Sequence, residues 1–346
     1  MLSYRTETIL KSIVGQYITK AIPVASQSII NDHELGVSAA TIRNEMAHLE
    51  QEGYITRSHP SAGSIPSDKG YRHYVESLSD IELPLAEQRL INHLFHQVEK
   101  ELERWLSLTA TLIARLVQDV AVVTLPKSIA CQFKHLELVA LQELLALVVL
   151  VLRGARIKQK LITFDQAISQ PELTAIANKL NAAYSGLTSP QISAKGIMLS
   201  PTEQQLTDCL LEIMQAEDEQ GYEEPYLNGL HFMLNQPEFT HSHRMSTLME
   251  LVEHRNLLRI IVPERLSNHE VQVIIGKENK AEVIRDYSVV ITQYGLPEEA
   301  AGTIGVIGPT RMPYARAISA VSYLSTVLSG LVTELYGKET HRHETN

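Results

Sequence analysis

Residues 38–54 read SAATIRNEMAHLEQEGY, and this stretch decides the fold of the N-terminal region. Ser38 is a favourable N-cap and Gly53 a natural C-terminal stop, so the stretch predicts a helix between them. The apolar side chains of this helix are spaced by four and three positions, which places them on one face. They are Ile42, Met46 and Leu49. The small and polar residues must therefore lie on the opposite face.

That outward face carries the residue types that read the major groove of DNA. Asn44 can bond an adenine edge through two hydrogen bonds, and Arg43 can fork onto guanine or phosphate. The free N–H groups after Ser38 suit a phosphate contact. The predicted outward residues are Ser38, Ala40, Thr41, Arg43, Asn44, Ala47 and His48. For the helix taken alone, the alternative is an amphipathic surface helix whose polar side simply faces water.

The flanking segments predict the domain around this helix. Residues 3–19 predict an amphipathic helix, and residues 24–31 predict a second, shorter one. After the quoted stretch, the strand-like residues 54–57 and the turn formers at 58–63 predict a hairpin. Three helices followed by a small hairpin are the order of a winged helix-turn-helix, which we predict at residues 1–78.

The hairpin and the helix after it add predicted contacts to DNA. Arg57 and His59 lie on a short loop stiffened by Pro60, as a wing that touches the DNA backbone or minor groove requires. Lys69 and Arg72, at the start of the next helix, are within reach of phosphates. Isolated basic residues at such positions are more often just solvated, which is the alternative for these two.

Composition and charge limit the class of protein. The chain has 346 residues, enough for two or three domains, and a formal charge of −10 that argues against a nucleic-acid partner. Residues 1–75, however, hold seven basic and seven acidic side chains, so the whole negative charge lies in the rest of the chain. A neutral N-terminal module on an acidic body permits DNA binding.

The same composition predicts a cytoplasmic protein with no membrane partner. The longest apolar run, at residues 144–152, is far shorter than the ~18 residues of a membrane helix, and we expect no secretory signal. Cys131 and Cys209 form no CxxC pair, so neither a disulfide framework nor a structural zinc site is expected.

Beyond the N-terminal module, the sequence predicts a multidomain α+β architecture. The apolar stripe from Ile91 to Leu116 advances in alternating steps of four and three, which predicts one long helix. Its partner is either the core of the same molecule or a second copy. Predicted strands, a helix, an irregular insert, more strands and a closing helix follow in that order. The strands are predicted at 136–141, 144–152, 157–164, 271–275, 287–293 and 302–307.

Other motifs are weak candidates for catalysis or ligand binding. Gly302, Gly305 and Gly308 are spaced as in a phosphate loop, but they lie in a strand-like run with no following G-K-[ST]. Arg311 is either an anion ligand at a helix N-terminus or a structural ion-pair partner. The 14 histidines include no H-E-x-x-H, and no G-x-S-x-G occurs. We expect no catalytic residue, no cofactor and no metal, hence no enzyme.

Five motifs along nearly the whole chain have the pattern of one known family. They read PVAS at 23–26, SAATIRNE at 38–45, HPSAGSIPSDKGYRHYV at 59–75, IGKEN at 275–279 and GTIGVIGPTRMPY at 302–314. These motifs closely resemble the heat-inducible transcription repressor HrcA.

The resemblance implies a dimeric repressor of chaperone operons that binds an inverted-repeat operator and needs the GroEL chaperonin to stay active. It implies a winged-helix domain at 1–78, a linker and long helix at 79–120, a GAF-like domain at 121–185 and 246–338, and an inserted dimerising domain at 186–245. The alternative function is a ligand-gated regulator whose GAF-like domain senses a small molecule. The sequence offers no concentrated set of polar residues to line such a pocket.

One position departs from the family pattern. The wing of the family reads S-A-G-R-I-P, and here Ser64 stands in place of the arginine. If that arginine reaches the operator, this protein lacks one charge-assisted contact. It should then bind DNA more weakly or with a shallower salt dependence.

Overall fold

The computed structural model describes residues 2–32, 38–59, 62–79, 81–99, 101–126, 131–153, 156–219, 225–239, 260–262, 270–296 and 300–340. The chain divides into two units. The first contains residues 1–125, 224–295 and 302–334, and the second contains residues 126–223, 296–301 and 335–346. Both are built from helices packed on β-strands.

The N-terminal module of the first unit (residues 2–79) has the predicted order of elements. These are α1 (Tyr4–Lys20), α2 (Ser26–Asp32), α3 (Ala39–Gln51), β1 (Ile55–Thr56), β2 (Ile65–Pro66) and α4 (Asp68–Glu76). Strands β1 and β2 pair antiparallel, with Ile55 opposite Pro66. The predicted cap is confirmed, since Ser38 Oγ accepts from the Thr41 N–H at 3.2 Å. Ser67 caps α4 in the same way, accepting from the Gly70 N–H at 3.2 Å.

The rest of the first unit, here called the body, is a five-stranded sheet with its helices. Its elements are α5 (Leu85–Gln97), α6 (Leu102–Val117), β3 (Val120–Val123), β7 (Tyr226–Asn228), α10 (Leu230–Leu234), β8 (Gln272–Ile275), β9 (Tyr287–Leu296), β10 (Ala300–Pro309) and α11 (Tyr314–Thr340). The strand order is β7-β3-β10-β9-β8. The predicted strands at 271–275, 287–293 and 302–307 are confirmed.

The predicted long helix across residues 91–116 is wrong, because α5 and α6 are separate helices. The backbone is extended at Val98 (φ −84°, ψ 141°) and at Glu101 (φ −115°, ψ 130°). Residues 99–101 are all charged, so no apolar side chain there gains from burial in a continuous turn. The spacing of the stripe records which residues are buried, and it does not require one unbroken helix.

Helix α11 contains a long apolar stretch. Its stretch Tyr314–Leu335 has the length and composition of a membrane-crossing helix. Core helices meet the same criterion, and Val321, Leu324, Leu328 and Val332 of α11 are fully buried. These four side chains belong to the core of the first unit.

The second unit is an antiparallel three-stranded sheet with helices on one side. Its strands β4 (Phe133–Gln142), β5 (Leu145–Leu152) and β6 (Arg156–Thr163) pair in chain order. Its helices are α7 (Gln170–Tyr184), α8 (Ser189–Ala194) and α9 (Pro201–Glu219). Alternate residues of β5, such as Val148 and Leu150, are buried in the same core as Leu180 and Leu210 of the helices.

The boundaries of the two units differ from the boundaries of the predicted domains. The sheet of residues 133–163 shares one core with α9, so both sides of the predicted boundary at residues 185 and 186 lie in the second unit. Residues 33–37, Pro60 of the predicted wing and residues 240–259 lie outside the described residues.

Candidate nucleic-acid interface

Helix α3 presents its predicted polar face to solvent. Ile42, Met46 and Leu49 are at most 3 % exposed and pack inward. The exposed residues of α3 and its cap are Ser38, Ala40, Arg43, Asn44, Ala47 and His48, and Thr41 is half-buried. The predicted division of this helix into a buried and an open face is therefore confirmed.

The central side chain of this face is free to bind. Within the described part of the chain, Asn44 and His48 make no side-chain hydrogen bond, while Arg43 Nε donates only to the Ala39 carbonyl at 3.3 Å. The Ser38 hydroxyl caps the helix and lies 3.0 Å from Thr41 Oγ1. The amide of Asn44 is thus unoccupied, as a base-reading group must be.

Two carboxylates beside this face are neutralised within the N-terminal module. Glu45 Oε1 accepts from Arg5 Nε at 3.1 Å, and Glu45 Oε2 accepts from the Thr6 hydroxyl at 2.8 Å. Glu50 lies 3.3 Å from Arg57 Nε. These pairs reduce the repulsion that bare carboxylates next to α3 would exert on a polyanion. The sequence carried no signal for them, since Arg5 and Glu45 are 40 positions apart.

The predicted wing residues differ in how free they are. The Arg57 side chain is only 18 % exposed, and its Nε is shared between Glu50 and the hydroxyl of Ser64. His59 is exposed, with Nδ1 at 3.0 Å from Ser58 Oγ. The structure therefore brings Arg57 back against α3 and leaves His59 at the outer surface.

Ser64, the position that departs from the family pattern, is fully buried. Its N–H and C=O pair with those of Val24 at 2.8 and 2.9 Å. Next to it, a Cβ on Gly63 would lie 2.5 Å from the Pro23 carbonyl carbon, so only glycine fits there. The motifs at 23–26 and 59–75 thus pack against each other, and Ser64 is buried between them.

The predicted phosphate contacts of Lys69 and Arg72 stay predictions, and both side chains have partners inside the protein. Lys69 Nζ donates to the Glu52 carbonyl at 2.7 Å and lies 4.1 Å from the centre of the Tyr54 ring. Arg72 forms an ion pair with Glu278 and donates to the Val273 carbonyl at 2.7 Å. Tertiary packing, which the local sequence does not reveal, uses both charges.

Of the two alternatives for Arg311, the structural ion pair is confirmed. Its Nε lies 2.6 Å from Glu238 Oε1, and both side chains are largely buried. Burial opposes the charge of this guanidinium and Glu238 favours it, so the pKa of Arg311 rises above its ordinary value.

No metal or nucleophile site emerges from the described residues. They contain no group of three or more His, Cys, Asp or Glu able to hold a metal ion. Cys131 and Cys209 are buried and form no disulfide with each other. A groove of about 460 Å³ runs along α1, lined by residues such as Lys11, Ser12 and Gln16. All of its lining residues belong to α1, and none belongs to the predicted GAF-like domain.

Comparison with known proteins places these features in a family. Residues 103–318 match the model of the HrcA protein C-terminal domain. A heat-inducible transcription repressor HrcA of Dehalococcoides mccartyi is 57% identical over 338 residues, covering 98% of each chain. The repressor of the same name from Roseiflexus castenholzii is 40% identical and covers 99% of this chain and 98% of its own.

A solved structure supports the fold as a whole. The crystal structure of a hypothetical protein at 2.2 Å resolution aligns with a TM-score of 0.59 at 24% identity, covering 96% of this chain and 98% of its own. From the matched family model and the nearly full-length relatives, the chain belongs to the heat-inducible transcription repressor HrcA family.

Proposed function

We propose that this protein represses heat-inducible chaperone operons by binding an inverted-repeat operator as a symmetric dimer. The N-terminal module acts as a winged helix-turn-helix and the five-stranded body as a GAF-like domain. The observation that carries the proposal is the exposed, unoccupied Asn44 on a helix whose opposite face is buried. Repression follows from occlusion of the promoter in the cytoplasm, so no catalytic residue, cofactor or metal takes part.

The proposed base contacts come from the outward face of α3. Asn44 reads an adenine edge and Arg43 a guanine or a phosphate, while Ala40 and Ala47 let the helix approach the groove closely. Ser38 and Thr41, at the helix N-terminus, suit a phosphate. His48 extends the same face toward the C-terminal end of α3.

The proposed wing contacts are fewer than the sequence suggested. His59 is the exposed donor of the hairpin, and Arg57 lies behind it. The Nε of Arg57 is engaged by Glu50 and Ser64, so a phosphate would be reached by the terminal nitrogens of its guanidinium. Lys69 and Arg72 are left out of the proposed interface, since their intramolecular partners occupy them.

Both the negative charge of the body and an exposed apolar surface favour a second copy of the chain. The acidic body repels DNA, so one neutral module binds weakly and two modules on one operator bind far more tightly. In the second unit, Val139, Leu147 and Leu161 lie in one cross-strand row on the sheet face opposite the helices. Val139 is 38% and Leu161 57% exposed. We call this face, with Leu141, Leu144 and Ile157, the open sheet face.

A second copy suits the open sheet face because a two-fold axis places identical apolar rows against each other. Monomeric proteins rarely leave a contiguous apolar patch of this kind uncovered. The dimer also matches the operator, since two-fold symmetry in the protein requires matching half-sites in the DNA.

GroEL as a partner rests on the family resemblance. If chaperonin keeps the repressor active, operator binding by purified protein should survive a mild temperature ramp longer with GroEL than without it. Binding that is indifferent to GroEL and to temperature would remove this part of the proposal.

The operator itself is the first test. Selection of wild-type protein on random duplex DNA should enrich an inverted repeat, and footprinting should protect both half-sites. Enrichment of a single, non-repeated site would contradict the dimer, and no enrichment at all would contradict sequence-specific binding.

A further inference from the structure

Two family motifs of the body, at residues 275–279 and 302–314, lie far from α3 in the sequence and contact the N-terminal module. The proposed DNA contacts give neither motif a role. Their side chains and backbone meet the module at three separate places, all within the first unit.

The first contact joins α4 to the turn after β8. Arg72 Nε donates to Glu278 Oε1 at 2.8 Å, and Arg72 Nη2 donates to the Val273 carbonyl at 2.7 Å. The Ile275 N–H donates to Glu278 Oε2 at 2.8 Å, which fixes the carboxylate that receives Arg72. A charge-assisted, two-point pair of this kind sets direction as well as distance.

The same turn approaches the start of α4 closely. Asp68 Oδ2 accepts from the Lys277 N–H at 3.0 Å. Gly276 has φ +51°, and a Cβ there would lie 2.5 Å from the Asp68 carboxylate. The positive φ favours glycine, and a side chain there would displace the Asp68 carboxylate. The sequence I-G-K-E therefore shapes a turn that receives Asp68 and Arg72 together.

The second contact holds the end of α1. Arg311 Nη1 donates to the Ile18 carbonyl, in the last turn of α1, at 2.6 Å. The guanidinium is itself held by Glu238 at 2.6 Å and by Gln236 Oε1 at 3.2 Å. A cation at a helix C-terminus is electrostatically favourable.

The third contact is aromatic. The rings of Tyr71 on α4 and Tyr314 on α11 lie 5.7 Å apart, and both side chains are buried. Tyr314 is fixed in turn by the Thr310 carbonyl and the Ser288 hydroxyl, each at 2.7 Å. Three contacts on two different helices leave the module no simple axis about which to rotate.

We propose that the residues of these contacts position the N-terminal module for operator recognition. They thereby fix the half-site spacing that the dimer accepts. The clasp is defined as Ile18, Asp68, Arg72, Glu278 and Arg311. It holds each N-terminal module at one orientation on its body, so the two α3 helices of the dimer lie at one separation. None of these residues touches DNA. This inference rests on the proposed function.

The geometry of DNA makes the spacing measurable. Half-sites recur on one side of the duplex about every 10–10.5 base pairs, so five added base pairs turn one half-site to the opposite side. A module held by the clasp cannot turn toward the displaced half-site. A module released from its body, and tied only by the chain near residue 79, can reach it.

The test compares two duplexes, the selected inverted repeat and the same repeat with five base pairs added at its centre. Wild-type protein should bind the lengthened duplex at least about tenfold more weakly. Glu278→Gln removes the charge that receives Arg72 and should lower this discrimination about threefold, because the contacts of Arg311 and of the tyrosine pair stay in place. Its affinity for an isolated half-site should stay at the wild-type value, because α3 is untouched.

Two further variants separate positioning from general damage. Glu282→Gln removes a carboxylate from the same region, but its partner is Arg285 at 3.7 Å, so discrimination should stay at the wild-type level. The conservative variant Arg72→Lys keeps a cation opposite Glu278 and should keep more of the discrimination than Glu278→Gln does. Retained discrimination in Glu278→Gln would overturn the proposal. Tighter binding of the original operator by this variant would also overturn it, because the clasp would then hold the module in an orientation that opposes DNA binding.

A distance measurement tests the clasp without DNA. Spin labels at Ala47→Cys and Val283→Cys, in full-length protein with Cys131 and Cys209 replaced and mixed with an excess of unlabelled protein so that a dimer carries at most one labelled protomer, should give one narrow distance distribution. Glu278→Gln should broaden it, and an unchanged distribution would overturn the proposal. If wild-type protein selects no inverted repeat while the labels behave as expected, the failure lies with the proposed function and not with the clasp.

Discussion

Arg57 Nε donates to the Ser64 hydroxyl at 3.2 Å and so joins the two strands of the N-terminal hairpin. Ser64 is fully buried, and its backbone pairs with Val24. The position at which the family pattern has an arginine therefore faces the interior of the hairpin, where its serine orients Arg57.

Ser64→Ala should lower stability without weakening DNA binding strongly. Loss of one part-buried hydrogen bond costs about 0.5–1.5 kcal/mol in the free energy of unfolding. Urea unfolding measures this cost, and Ser58→Ala, which removes an exposed hydroxyl from the same loop, should cost less. A stable Ser64→Ala variant whose operator binding is several-fold weaker would show that the hydroxyl acts on DNA directly.

Leu161→Glu on the open sheet face should convert the dimer to a monomer. The side chain is 57% exposed, so the folded monomer tolerates the charge, whereas two facing copies would bury it unpaired. Sedimentation should show the monomer, and affinity for the inverted repeat should fall toward that of one half-site. Val283→Glu is the matched control, an exposed valine of the first unit at 48%. A dimer that survives Leu161→Glu would contradict the proposed interface.

Arg311→Gln should be among the most destabilising polar substitutions. It leaves Glu238 largely buried without its cation and removes the donor to the Ile18 carbonyl, at a cost of about 2–4 kcal/mol. Arg285→Gln breaks an exposed pair and should cost under about 1 kcal/mol. Chemical denaturation measures the unfolding free energy of both variants. Equal losses would show that the buried pair of Arg311 stabilises the fold no more than the exposed pair of Arg285 does.

Asp119→Asn should stabilise the protein at neutral pH. Burial raises the pKa of the Asp119 carboxyl well above its ordinary value, although Gln236 at 2.7 Å and nearby Arg311 oppose the shift and Glu238 adds to it. The folded state then keeps a proton that the unfolded chain releases above about pH 4, so unfolding free energy falls as pH rises beyond that value.

The check is the melting temperature of both proteins between pH 5 and pH 8. The wild type should lose stability relative to Asp119→Asn as the pH rises. A constant difference across this range would mean that Asp119 does not change its protonation state on unfolding.

Local patterns in the sequence account well for α3 and its surroundings. Ser38 and Ser67 cap helices because their side chains compete for free N–H groups, and the spacing of Ile42, Met46 and Leu49 determines which side is buried. Such features depend on a few neighbouring residues, and they predict the face of α3 on which Asn44 lies.

Features that depend on distant contacts were not predictable from the same patterns. Arg72 looked like a phosphate ligand, but its partner Glu278 is 206 positions away. The run at 145–152 is apolar throughout, although only alternate residues, from Ala146 to Leu152, are buried. Composition cannot tell an open apolar sheet face from a covered one, because both have the same residues.

The most direct measurement is the affinity of Asn44→Ala for the selected operator and for random duplex DNA at one salt concentration. Asn92→Ala, an exposed asparagine of α5, is the control and should bind both like the wild type. If α3 reads bases, Asn44→Ala loses about 1–3 kcal/mol on the operator and little on random DNA. Equal losses on both duplexes, or no loss on either, would contradict the central claim.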